Sequence, residues 1–197
     1  MTVITTTVRR NRLGWCTLAA AAVFVTGLVF GLFAPAESAT GVLGELGQLI
    51  EPLRNAGPFV LLVVIVLNNA LKALGAVVMG VVVGLPPAVF LVLNGYLLGI
   101  VVTGFTSVSG LAYVMASLIP HGVIEIPLLL LAAGLGFSVG WEVIRWLAWR
   151  TGAVKAQMRM VLGLYLRWVL PGLAIAALVE VFLTPLVVAL VSGGSPG

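Results

Sequence analysis

Residues 59–84 read FVLLVVIVLNNALKALGAVVMGVVVG, opened by Pro58 and closed by the pair Pro86-Pro87, and Lys72 is the one formal charge in the run. A helix of that length rises about 39 Å at about 1.5 Å per residue, enough to cross a hydrocarbon core of about 30 Å. The flanking prolines mark its limits, because neither sits comfortably inside a helix. The stretch is therefore a membrane span, and it carries Asn68, Asn69 and Lys72 into a medium that excludes polar groups.

The rest of the chain repeats the pattern. Of its 197 residues, 61% are hydrophobic and 8% charged, and the mean hydropathy is +1.24. That balance cannot supply a water-soluble surface. The length accommodates roughly five or six spans of about 20 residues and leaves no room for a separate soluble catalytic domain. Toward the N-terminus, Arg9, Arg10 and Arg12 precede an apolar run from Leu13 to Phe33, read as the first transmembrane helix. Ala34-Pro35-Ala36 resembles a signal-peptidase site, but the run is long for a signal peptide and the helix is expected to be retained. Between Ser38 and Asn55, Val42, Leu46, Leu49, Ile50 and Leu53 recur at helical spacing opposite Glu45 and Glu51, the pattern of an amphipathic helix on the membrane surface.

Toward the C-terminus, a third span is expected over about Ala88 to Phe105 and a fourth over Leu111 to Gly136. Pro120-His121-Gly122 and Pro127 interrupt the fourth, which predicts a broken, kinked or re-entrant helix. Trp141, Trp146 and Trp149 then mix with Arg145, Arg150, Lys155 and Arg159, as at a membrane interface. The last span runs from about Leu162 to Val191 and contains Pro171 and Pro185. The expected architecture is an all-α polytopic bundle of about five spans. It comprises a basic arm at 1–12, helix one at 13–34, an extracytoplasmic amphipathic segment at 35–57 and a membrane core with spans two to four at 58–140. An interfacial segment at 141–160, a final span at 161–191 and a tail at 192–197 complete it.

Charge sets the expected orientation. Arg9, Arg10, Arg12, Arg145, Arg150, Lys155 and Arg159 lie in the N-terminal arm and the loop after span four, against Arg54 alone in the first loop. Positive residues stay inside, so the N-terminus is expected in the cytoplasm and the C-terminus outside the cell membrane. The net charge of +4 reflects this placement at span ends and gives no nucleic-acid surface. The single cysteine, Cys16, lies in the first apolar run, allows no intrachain disulfide and reads as a packing residue.

The chemistry available is confined to residues the bilayer should exclude: Asn68, Asn69, Lys72, Asn94, His121, Glu125 and Glu180. Asn68, Asn94 and His121 fall about 18 to 20 Å below the outer surface at about 1.5 Å per residue, with Lys72 and Glu125 about 22 to 24 Å deep. An intramembrane pairing of Lys72 with Glu125 is therefore allowed. Such a layer either hydrogen-bonds across helices to hold the bundle or forms a midplane site for an ion or polar solute. Gly-x-x-x-Gly pairs at Gly27/Gly31, Gly80/Gly84, Gly95/Gly99 and Gly136/Gly140 support close packing, although about three would arise by chance in so glycine-rich a chain. No catalytic residue, metal centre or cofactor is assigned: the chain has one His and no Asp, whereas zinc takes three or four protein ligands, and no serine elbow or phosphate loop occurs.

The ordered run Leu67-Asn68-Asn69, a proline-closed glycine-rich helix, Leu93-Asn94-Gly95-Tyr96 and Pro120-His121-Gly122-Val123-Ile124-Glu125 resembles the stage II sporulation protein M family over about Phe59 to Gly140. The resemblance carries over Asn68, Asn69, Asn94, Gly95, His121, Gly122 and Glu125 as motif residues without assigned roles. It implies an integral membrane protein, itself no hydrolase, that recruits peptidoglycan-cleaving partners. The function expected is a non-enzymatic membrane scaffold that contacts lipid and binds cell-wall-remodelling machinery or another copy of itself. The alternative is a small transporter or channel using the Lys72, His121, Glu125 and Asn94 layer.

Overall fold

The computed structural model describes residues 2–35 and 57–193, with Gly41 and Gly44 between them, and the side chains from Arg12 onward. Five helices are long and apolar enough to cross a membrane. They are α1 (Thr2–Leu32), α2 (Pro58–Val78), α3 (Leu85–Ser109), α4 (Leu111–Trp149) and α5 (Val154–Val191). Apart from Gly41 and Gly44, both helical, the expected amphipathic segment lies outside the described residues.

The punctuation follows local chemistry. Pro58 occupies the first turn of α2, where its missing N–H is no loss, and Pro86 and Pro87 do the same for α3. Between these helices the chain makes a 3-10 turn at Met79–Val81 and two left-handed residues, Val83 at φ 54° and Gly84 at φ 75°. Glycine takes that conformation freely, whereas a β-branched valine is strained there. Gly140 of α4 packs onto the backbone of both residues, and that close contact holds the turn. A single left-handed glycine, Gly110, separates α3 from α4.

The expected break in the fourth span does not occur: α4 continues as one helix through Pro120 and Pro127. Each proline removes one backbone bond, but opening the helix in lipid would strand several more polar groups, so the continuous helix is the lesser loss. In α5 the chain answers its prolines differently. A π-helical turn at Tyr165–Val169 precedes Pro171, and another at Val179–Leu183 precedes Pro185. The wider turns re-aim carbonyls that proline cannot bond. Thr184 Oγ1 donates to the Val179 carbonyl at 3.2 Å in the second turn.

The central element is α4, with a packed cluster on each side. On one face Ala132, Leu135 and Val139 meet Ala73 and Val77 of α2 and Val161, Tyr165, Val169 and Leu173 of α5. On the other face Ala133 meets Ala20 and Phe24 of α1 and Leu91 of α3. All four Gly-x-x-x-Gly pairs serve this packing. Gly27 and Gly31 of α1 lie against the backbone of Val92 and Tyr96, while Gly95 and Gly99 of α3 lie against Phe24 and Leu28, so α1 and α3 run parallel along one seam. Gly80 and Gly84 form the equivalent seam with Gly136 and Gly140. The perimeter is apolar: Phe30 is 66% exposed, Leu71 65%, Phe59 75% and Leu190 83%. Lipid is the solvent such a perimeter fits.

Candidate functional site

Polar side chains gather at two levels. The first lies within the bundle, where His121 and Glu125, one turn apart, share a face of α4. Glu180 approaches from the second π turn of α5, and the three side chains place potential ligand atoms within 4.8 Å of one another. His121 Nδ1 is enclosed and, with Thr106 Oγ1, is one of two such side-chain atoms without a hydrogen-bond partner among the described residues.

His121 and Glu125 also line a groove of about 750 Å³, bounded by Phe24 and Leu28 of α1, Asn94 and Leu98 of α3, and Gly122 of α4. Asn94 is half-buried and donates to the Phe90 carbonyl of its own helix at 2.7 Å, which occupies part of its hydrogen-bonding capacity. Gly95, one residue on, is buried in the α1 seam.

The rest of the expected layer does not join this site. Asn68 is exposed on the outer face of α2 and donates to Asn69 Oδ1 at 3.3 Å. Lys72, four residues along, is likewise exposed. It forms no ion pair with Glu125; the ion pairs among the described residues both belong to Glu142. Glu125 instead faces a second carboxylate.

Glu142 defines the second level; in the sequence it lies within a basic, aromatic stretch that gives no sign of its burial. Only 4% exposed, it pairs with Arg12 of α1 and with Arg145 at 3.2 Å, and accepts the Ala153 N–H at 3.0 Å. It thereby ties α1, α4 and the start of α5 together. The pattern that marks it is Glu142 followed by Arg145 at i, i+3. Just inside, Gln157 Nε2 donates to Ser138 Oγ at 2.9 Å, and Tyr165 donates to the Ala70 carbonyl at 2.7 Å. These bonds satisfy buried polar groups and read as structural.

Five lipid-length helices around polar side chains held inside the bundle define the chain as a polytopic helical membrane protein. Within that class its family is clear: a profile of the stage II sporulation protein M family matches residues 20–185, and the chain belongs to that family. The match extends beyond the 59–140 region that carries the motifs, to take in the second part of α1, from residue 20, and most of α5. No curated protein and no solved structure matches the chain.

Proposed function

We propose that the chain is a non-enzymatic membrane scaffold that holds a partner protein, or a second copy of itself, at one end of its bundle. The observation that carries this reading is the α4–α5 hairpin. At about 1.5 Å per residue, α4 and α5 measure about 58 and 57 Å, well beyond a hydrocarbon core of about 30 Å. Beyond Glu142, α4 runs about another 10 Å before the turn at 150–153. The tip exposes Trp146, Trp149, Arg150, Lys155 and Arg159, with the Arg150 guanidinium 5.5 Å from the Trp146 ring centroid. Aromatic and arginine side chains are the groups that anchor protein interfaces.

The Arg12–Glu142 pair brings the basic N-terminal arm to this same end. That convergence of positive charge supports an orientation with the tip and N-terminus in the cytoplasm and the C-terminus outside the cell membrane. Family membership supports a partner from the cell-wall-remodelling machinery.

A photo-crosslinking residue at Trp149 tests the reading in cells. It should capture one discrete protein, while the same group at Leu190 captures only lipid. Lipid adducts alone at both positions would refute it. A second reading, transport of an ion or polar solute, is favoured by the groove beside Asn94, His121 and Glu125. Proteoliposomes test it: solute flux that Glu125→Gln abolishes supports transport, and none across a broad panel removes it.

A further inference from the structure

His121, Glu125 and Glu180 present a donor set that the sequence alone leaves incomplete. On α4 there are two potential ligands, one imidazole and one carboxylate; α5 supplies a third. The π turn at Val179–Leu183 is the local irregularity from which Glu180 reaches the pair, and such turns recur where helices build sites.

Two features make the cluster more than a chance meeting of polar groups. Glu125 and Glu180 stand beside each other in an apolar bundle with no ion-pair partner among the described residues. Two adjacent carboxylates in such a medium need a positive charge between them. Lys72, the one amine on α2, is exposed and forms no ion pair with either carboxylate. Independently, His121 Nδ1 is enclosed with an unused hydrogen-bonding position, a state that costs free energy unless a proton donor, acceptor or metal completes it.

The geometry suits a small divalent ion. A tetrahedral ion with bonds of about 2.1 Å holds its donors about 3.4 Å apart. Donor atoms within 4.8 Å of one another close to that spacing by small side-chain rotations. One imidazole and two carboxylates are the ligands of first-row transition metals, zinc and manganese among them, rather than of calcium or magnesium. Because His121 and Glu125 also face the groove, a fourth position is open to water or solute from that side.

We propose that His121, Glu125 and Glu180 form an intramembrane binding site for a divalent first-row transition-metal ion, bridging α4 to α5. The inference does not depend on either functional reading above: the ion fastens the two helices whose hairpin carries the exposed tip, and a scaffold or a transporter accommodates it equally.

The test uses the full chain in lipid nanodiscs, stripped with chelator and titrated with Zn²⁺ alone. The expected result is one Zn²⁺ per chain by elemental analysis, with affinity lowered about tenfold or more in Glu180→Gln and in His121→Gln, the scale on which metal sites respond to lost support. Asn94→Ala, which alters the groove but not the donor set, should bind as the parent does. Co²⁺ added to the unaltered protein gives a reading free of any folding defect: ligand-field absorption bands of a four- or five-coordinate site are expected, and Zn²⁺ should bleach them. Absence of stoichiometric Zn²⁺ and of those bands would overturn the proposal and leave the two carboxylates sharing a proton. Equal Zn²⁺ affinity in the parent and Glu180→Gln would also overturn it.

Discussion

The same substitution, glycine to alanine, should have opposite effects at two helical positions of this bundle. At Gly95 an added Cβ would press onto the Phe24 carbonyl and lie 2.8 Å from the Leu28 amide nitrogen and 3.2 Å from the Gly27 carbonyl carbon. These obstacles are backbone of a neighbouring helix and cannot rotate away, so α1 and α3 must separate. Overpacking of that kind costs about 1 to 3 kcal/mol, against which alanine recovers about 0.5 to 1 kcal/mol of helix propensity. The net expectation for Gly95→Ala is a loss of up to about 2.5 kcal/mol. At Gly163, inside the first segment of α5, nothing lies within 4 Å of the added methyl. Only the propensity acts there, and Gly163→Ala should gain about 0.5 to 1 kcal/mol. Denaturant titration in a fixed micelle, followed by tryptophan fluorescence, measures both. Stabilisation by Gly95→Ala, or equal shifts of one sign at both sites, would refute the backbone-to-backbone seam.

The other predictions concern the polar bonds. Glu142→Ala removes both ion pairs and the acceptor for the Ala153 N–H. Because the arginine side chains are 29% and 32% exposed, solvent screening moderates the loss to about 1 to 3 kcal/mol, measured in the same titration. Tyr165→Phe deletes a buried bond to the Ala70 carbonyl and should cost about 0.5 to 1.5 kcal/mol. Lys72→Met should leave the unfolding midpoint unchanged or raise it, since the ammonium is exposed and makes no ion pair; a loss above about 1 kcal/mol would show that it holds Glu125 after all.

The five spans are legible because lipid permits few alternatives: a long apolar run has to be a helix that satisfies its own backbone. Their limits are less so. Proline behaviour learned from helices in water predicts an interruption at Pro120 and Pro127, whereas in lipid the helix survives both. The polar layer divides for a different reason. Counting residues from a span end gives depth at about 1.5 Å per step, but each residue also turns the helix by about 100°. An error of one or two residues therefore barely moves a side chain in depth while carrying it to another face. Asn94 and His121 share a groove as well as a depth. Asn68 shares that depth and Lys72 lies one turn further in, but both face outward. Glu180 was visible as a buried acid, yet its neighbours were not, because the π turn shifts the angular register that a regular helix would predict. The glycine pairs were visible too, but a spacing names no partner.

Packing divides the bundle into a part built to hold and a part with room for chemistry. Where α1 meets α3, and where the α2 turn meets α4, backbones touch through glycine and leave no space for a side chain, much less for a ligand. Such contacts gain dispersion along the whole seam and resist sliding, because any displacement brings atoms into overlap. Where α4 meets the C-terminal half of α5, His121, Glu125 and Glu180 come together beside a π turn, and no glycine follows Gly172 in α5. Secured by glycine against the α2 turn and meeting the C-terminal half of α5 through titratable side chains, α4 is fixed relative to α2 and adjustable relative to that half of α5. The C-terminal half of α5 is therefore the segment whose position a bound cation or proton would set, and through the continuous helix that position is connected to the hairpin tip at 150–153.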